Sequence, residues 1–299
     1  MARAFVPGHI TGIFRIYDEH ESPLRQGSIG AGFSVRIGTV TSVRIYDSPS
    51  NDVHVKYNGK VIEAPVTRTV IDRLLKEQPN SYRVEVSHDS SLPIGVGFGA
   101  SGAGALGTAL SLSSLLGINE GLQAAGIHAH IAEVLNHTGL GDVISQCAGG
   151  METRIEPGAP GTGLIRQIDL KDPQHVVLAG RPGLETREVL TNPAKRERIN
   201  KAGDALMQGL IRNPSLESFI KAAKQFTKEI GLETSSVESA LDLLQEAGFA
   251  NSSMVMLGDS VFSFCDELEI DSVVKILREF WNEDQVIATS VSPEGGRLV

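Results

Sequence analysis

One stretch limits this chain more than any other: Gly95-Val96-Gly97-Phe98-Gly99-Ala100-Ser101-Gly102-Ala103-Gly104, which continues into Ala105-Leu106-Gly107-Thr108-Ala109-Leu110. Glycines without Cβ atoms let the backbone close around an anion and turn several N–H groups toward one point. A helix starting there adds unpaired donors and the positive end of its dipole. Gly95, Gly97, Gly99, Ala100, Ser101, Gly102 and Ala103 are therefore candidates for holding phosphate, with the Ser101 hydroxyl placed to cap the helix, to touch phosphate or to ligate Mg²⁺. A buried, close-packed glycine helix with no ligand is the competing reading. Gly97, Gly99 and Gly102 also fit G-x-G-x-x-G, but Ser90-Ser91-Leu92-Pro93-Ile94 is too short and proline-broken for the strand a dinucleotide site requires, and the residues before Glu120 do not read as a strand either. No lysine follows the glycines, which excludes a P-loop.

Around this loop the chain reads as α+β. Alternation of Val35, Ile37, Val43 and Ile45 predicts strand, and Val53, Val55 and Tyr57 followed by Asn58-Gly59 and Val61 predict a hairpin with a type I′ turn. Helices are expected over 67–77, 101–116 and around 127–137, with a strand near Val84 and Val86. Gly27-Ser28-Ile29-Gly30-Ala31-Gly32 reads equally as a tight turn between strands or as a substrate-contacting loop. Past a loop at 157–163, strands are expected near 164–168 and 175–180, then helices near 194–211, 215–230 and 235–247. A hairpin through Met254–Phe264, a helix at 271–282 and a strand at 285–290 complete a split β-α-β pattern. The domains are drawn as 1–170 and 171–299.

In the helix around 127–137, His130, Glu133 and His137 share a face. Neither H-E-x-x-H nor H-x-x-E-H is present, so a zinc hydrolase is disfavoured and the face reads as solvated or functional. Asp142 follows Gly139-Leu140-Gly141 and precedes an apolar helical run; it reads as an N-cap or as a carboxylate that receives a hydroxyl proton.

Net charge is −9, with no run of lysine or arginine, which argues against nucleic-acid binding and against a polybasic membrane patch. An anionic ligand must then be held by local groups against the overall field. No stretch is apolar enough to span a bilayer and the start lacks a signal-peptide core, so a cytoplasmic address is expected. The two cysteines, Cys147 and Cys265, suit a reducing compartment.

Pro7-Gly8-His9-Ile10-Thr11-Gly12-Ile13-Phe14, the loop 95–104 and Asn251-Ser252-Ser253-Met254-Val255-Met256-Leu257-Gly258 resemble the three motifs of the GHMP kinase superfamily. Within it, segments 7–12, 27–32, Gly141-Asp142-Val143 and Pro182-Gly183-Leu184-Glu185-Thr186-Arg187 resemble the archaeal pantoate kinases. The resemblance implies a ribosomal-protein-S5-like N-terminal domain and a ferredoxin-like C-terminal domain. It implies ATP- and Mg²⁺-dependent phosphorylation of pantoate at its 4-hydroxyl in coenzyme A synthesis, by a homodimer. On the same basis Ser101 and Glu133 match metal–phosphate ligands, Asp142 the acidic catalytic residue, and Ser28, His130 and Arg154 contacts to the acceptor. An acid acceptor suits the fork of an arginine, for which Arg187 is a second candidate. Sibling kinases acting on homoserine, mevalonate or shikimate, and a non-catalytic ligand-binding protein, are the alternatives. Many superfamily members carry lysine in the first motif where this chain has His9, so another cation must serve here.

Overall fold

The computed structural model describes residues 1–118, 121–171, 174–183, 186–256 and 258–299, without the side chains of Thr186 and Arg187. The chain opens with two long antiparallel strands, β1 (Ala2–Tyr17) and β2 (Gly27–Asp47). Next come β3 (Asp52–Tyr57), β4 (Lys60–Val61), α1 (Pro65–Leu75), β5 (Tyr82–Ser90), α2 (Ala100–Leu115), α3 (Gly121–Asn136), α4 (Asp142–Ala148), β6 (Met151–Glu156) and β7 (Leu164–Ile168). Asn58 and Gly59 take positive φ at the β3–β4 turn, as the type I′ pattern requires. The other neighbour of β3 is β5, and that pairing is parallel.

Segment 27–32 is neither a turn nor a loop. It is the first part of β2, paired with β1 on one side and, from Gly30, with β6 on the other. Glycine suggested a turn here; the cause, described below, is instead the close approach of backbone oxygens and side chains from neighbouring strands.

The chain continues through β8 (His175–Arg181), α5 (Thr186–Thr191), α6 (Pro193–Arg212), α7 (Leu216–Ile230), α8 (Ser235–Glu246), β9 (Ser252–Met254), β10 (Asp259–Cys265), α9 (Ile270–Leu277), β11 (Val286–Ser290) and β12 (Arg297–Leu298). Side chains of Asn192, Ser215 and Thr234 cap α6, α7 and α8, each accepting a bond from a first-turn N–H. Strands β8 to β11 form a separate sheet ordered β11-β8-β10-β9, the ferredoxin-like arrangement, while β12 returns to pair with β1 in the first sheet.

A cluster of aromatic rings fixes the two sheets to each other. Phe33 of β2 meets Phe264, Phe262 and Phe219 with ring centroids at 4.8, 5.4 and 6.1 Å. Gly12 admits the contact, since a Cβ there would meet the Phe219 ring at 2.6 Å. Helix α2 is buried from Gly102 to Leu112, and its small residues allow close approach: Gly104 faces the His88 ring and Gly107 faces Thr41. His88 itself bridges the Thr41 and Thr67 hydroxyls, and burial lowers its pKa to about 4, so it is a neutral core group. The buried-helix and anion-loop readings of 95–110 are thus compatible: the helix body is core and its N-terminus opens on a cleft.

Candidate active site

The loop before α2 is held from behind by its carbonyls. His9 N–H donates to Phe98 O (3.1 Å), Gln146 Nε2 to Gly99 O (2.9 Å), and Ser260 Oγ to Val96 O (2.9 Å). Gly95, Gly97 and Gly99 take φ of 79°, 80° and 71°, a conformation costly for residues with a Cβ. Gly99 caps α2 without a side chain, which leaves first-turn N–H groups free to meet an anion.

Two carboxylates converge beside this helix start. Glu133, buried in α3, accepts a 2.5 Å bond from Ser101 Oγ through Oε1, while its Oε2 has no partner. Burial raises its pKa to about 7; the Ser101 bond opposes this and the Asp142 charge adds to it. Asp142 opens α4 and packs by its Cβ 3.4 Å from where a Cβ on Gly102 would lie. Gly139 lies over both groups: a Cβ there would overlap Glu133 Oε2 and sit 3.7 Å from Asp142 Oδ2. Carboxylates distant in sequence thus face one point, and only glycine leaves that point open.

Asp142 also borders an open cleft, lined in part by Thr11, Ser28, Gly97, Gly141 and Arg154. Phe14, Leu140, Leu190 and Met256 give it an apolar wall. Arg154 is buried in β6; its Nη1 donates to Glu152 Oε1 (2.7 Å) and Ser145 Oγ (3.0 Å), and its Nε is unpartnered. The Nε and Ser28 Oγ both crowd against Gly141, where a Cβ would meet them at 2.7 and 2.5 Å.

The second glycine segment now has a physical reason. A Cβ on Gly30 would meet Arg154 Nη2 at 2.6 Å, and one on Gly32 would meet His9 Nε2 at 2.7 Å. The two strand glycines make room for two cationic side chains. His9 is fully buried, with Nδ1 at 2.8 Å from Asp142 Oδ1 and Nε2 at 3.0 Å from Glu152 Oε1. Facing a carboxylate at each end, the ring must donate from both nitrogens, which only the imidazolium does. Burial alone would lower its pKa, but Glu152 and Asp142 outweigh that and raise it. The first-motif position where many superfamily members carry lysine thus holds a histidine whose proton is kept by two carboxylates. Its position in that motif was visible in the sequence; its charge was not.

The other sequence-derived candidates fall outside this cluster. His130 does not line the cleft: its buried ring sits at 2.9 Å from Gln26 O and 3.2 Å from Pro23 O, and burial lowers its pKa despite those bonds. It holds the segment that leads into Ser28. His137 lies beyond the end of α3 with φ of 55°, so it is not on the face of His130 and Glu133. Arg187 is placed by its backbone in α5, and its side chain lies outside the described residues, as do Leu184, Glu185 and Leu257 of the motifs and Glu120.

Sequence reasoning missed Glu152, Gln146 and Thr11. Glu152 and Arg154 stand two apart in a strand and so share a face, a signal available only once residues 151–156 are read as β6. The third motif contributes Met256, whose N–H donates to Thr11 O (3.0 Å) and whose side chain joins the apolar wall.

Among the described residues no three His, Cys, Asp or Glu side chains gather into a metal cage. The donors present are the Ser101 hydroxyl and the Glu133 carboxylate with its free Oε2, hard oxygens that suit Mg²⁺, an ion that completes its shell with water and substrate phosphate. No helix among the described residues is long and apolar enough to cross a membrane.

The model of the GHMP kinases N terminal domain matches residues 65–150, and that of the GHMP kinases C terminal region matches 206–283. A protein of Thermococcus kodakarensis named pantoate kinase is 37% identical over 289 residues, covering 93% of this chain and 92% of its own. The pantoate kinase of Methanocaldococcus jannaschii is 31% identical over 275 residues, covering 92% and 96%. A solved structure described as a phosphotransferase related to the CoA biosynthesis pathway aligns with a TM-score of 0.87 at 31% identity, covering 100% of this chain and 98% of that one.

Proposed function

The chain belongs to the GHMP kinase family, and from that premise we propose that it is a pantoate kinase, transferring the terminal phosphoryl group of ATP to the 4-hydroxyl of (R)-pantoate to give (R)-4-phosphopantoate. The observation that carries this reading is one cleft lined both by a buried arginine, Arg154, and by Asp142, which lies beside the α2 N-terminus. Pantoate has the matching parts: a carboxylate, a carbon with two methyl groups, and a primary hydroxyl.

In this assignment Arg154 and Ser28 receive the carboxylate, and Phe14, Leu140, Leu190 and Met256 enclose the methyl-bearing carbon. The N–H groups of residues 97–102 hold the phosphates of ATP. Asp142 orients the hydroxyl and accepts its proton as the oxygen attacks phosphorus. Ser101 and Glu133 would hold Mg²⁺, which when bound neutralises charge on the transferring group. Closing the cleft over the acid excludes water, so that the acceptor hydroxyl is the nucleophile offered. His130 supports the pocket from behind by bonding the carbonyls of residues 23 and 26.

The test is ADP release from Mg-ATP with pantoate, homoserine, mevalonate and shikimate offered separately. Turnover with pantoate above the others is expected. Turnover with another acceptor and not with pantoate rejects the acceptor while leaving the family; nucleotide binding with no turnover of any of them rejects the kinase reading.

A further inference from the structure

Behind the cleft lies a residue that does not line it but bonds to one that does. Glu152 is fully buried, and its Oε1 accepts from His9 Nε2 (3.0 Å), Arg154 Nη1 (2.7 Å) and Ser145 Oγ (2.9 Å) at once. His9 continues from Nδ1 to Asp142 Oδ1 (2.8 Å). The chain Arg154–Glu152–His9–Asp142 therefore runs under the cleft from the group that faces the acid to the group that faces the hydroxyl. Strand register brings it together: Glu152 pairs with Gly32 and Arg154 with Gly30, while His9 pairs with Ser34 on the other side of β2.

We propose that Glu152, with His9, is a positioning residue that sets the acceptor-binding fork of Arg154 and the proton-accepting carboxylate of Asp142 against each other, so that one buried carboxylate fixes both ends of the acceptor. The proposal rests on the functional reading above.

Three observations support it. First, the two branches are anchored on the same oxygen, so a shift of Glu152 moves both. Second, the anchoring engages Nη1 of Arg154 and Oδ1 of Asp142, while Arg154 Nη2 reaches Thr11 Oγ1 of the cleft lining (3.4 Å) and Asp142 Oδ2 stays beside Gly139. Third, the charges balance. Glu152 and Asp142 stand against Arg154 and the doubly donating His9, so the network is neutral before a substrate acid arrives. Removing the Glu152 charge leaves two buried cations adjacent, a strongly unfavourable state that the structure relieves by moving or deprotonating one of them. A carboxylate that only stabilised the fold would not need its network to end on two groups, Arg154 and Asp142, that line one cleft.

The experiment is steady-state kinetics with acceptor and ATP varied separately, on wild type, Glu152→Ala, Glu152→Gln and His9→Gln, with a thermal melt and nucleotide binding for each. Glu152→Ala is expected to lower kcat by about 10²-fold and raise the acceptor KM about tenfold, with the ATP KM within about threefold. Glu152→Gln keeps an oxygen for the three donors and should recover about tenfold of the lost kcat. His9→Gln keeps a donor toward Glu152 but cannot reach Asp142, so kcat should fall while the acceptor KM stays within about threefold. An unchanged acceptor KM in Glu152→Ala, equal losses in Glu152→Ala and Glu152→Gln, or an acceptor KM that moves with kcat in His9→Gln each overturn the proposal. If Glu152→Ala does not fold, the contrast of Glu152→Gln, shifting kcat and acceptor KM together, with His9→Gln, shifting kcat alone, decides it. The two failures are separable: a wild type that phosphorylates a different acid removes the pantoate reading and the variants are measured with that acid, whereas normal wild-type turnover of pantoate with the contrary variant pattern removes the positioning role alone.

Discussion

A Cβ on Gly32 would meet the ring of His9, with Nε2 at 2.7 Å from that point. The backbone oxygen of Ile10 crowds the same point, so neither neighbour yields cheaply. Gly32→Ala should therefore displace the imidazole and disturb its bond to Glu152. Overpacking a buried site of this kind costs about 1–3 kcal/mol. We expect a lower Tm and a fall in kcat larger than that in Gly209→Ala, where a Cβ meets nothing. A Gly32→Ala protein with wild-type melt and kcat shows that the ring has room to move.

Asp142→Asn is the cleanest probe of the proton acceptor. Asparagine retains an oxygen for the His9 Nδ1 donor, so the network geometry survives while basicity is lost. Loss of general-base help should lower kcat by about 10²–10⁴-fold. Binding of a fluorescent ATP analogue should be unchanged, since the loop N–H groups are untouched. A kcat near wild type in Asp142→Asn removes the assigned role.

How much of this was legible in the sequence depends on whether the signal was local. The glycine loop before α2 was readable because positive φ at Gly95, Gly97 and Gly99 is a backbone demand that few other residues meet. The Asn58-Gly59 turn was readable for the same reason. The helices after residue 193 were readable from their periodicity and caps, within a residue or two over most of their ends. The turn reading of segment 27–32 failed because its glycines answer to atoms of neighbouring strands: Gly30 to Ile13 O and Arg154, Gly32 to Ile10 O and His9. A glycine required by a neighbour's bulk looks, in sequence, like one required by a turn. His130 shows the converse, since a polar residue on a helix face gives no sign that its ring bonds backbone carbonyls in a loop. Glu152 was invisible because a buried carboxylate is explained only by the cations around it.

The C-terminal domain should act on nucleotide affinity through one hydroxyl. Ser260 Oγ of β10 donates to Val96 O inside the phosphate loop (2.9 Å) and is fully buried. Ser260→Ala leaves that carbonyl without its donor, a loss of about 1–3 kcal/mol for a buried group. The ATP KM should rise several-fold in Ser260→Ala. Ser263→Ala serves as the control: it removes a buried bond to Ser252 Oγ (2.9 Å) in the same strand but away from the loop. It should lower the Tm comparably and leave the ATP KM alone. Equal KM shifts in the two variants count against a specific link from domain to loop.

Glu133 should make the metal-free protein less stable as pH rises. Its carboxyl titrates at about 7 in the folded protein because burial penalises the charge, against an ordinary value of 4.5. Between those two values the folded chain keeps a proton that the unfolded chain has lost. Stability therefore falls with rising pH across that window, by an amount on the order of 3 kcal/mol when complete. His9, with its pKa raised above 6.5, adds a further fall above that pH, and His88, lowered to about 4, contributes the opposite slope below it. The difference between wild type and Glu133→Gln separates Glu133 from both. Melts in chelator from pH 4.5 to 8 should show Glu133→Gln gaining on wild type as pH rises. A constant gap between the two curves means that Glu133 does not titrate in this range and that its free oxygen is not held protonated before a cation arrives.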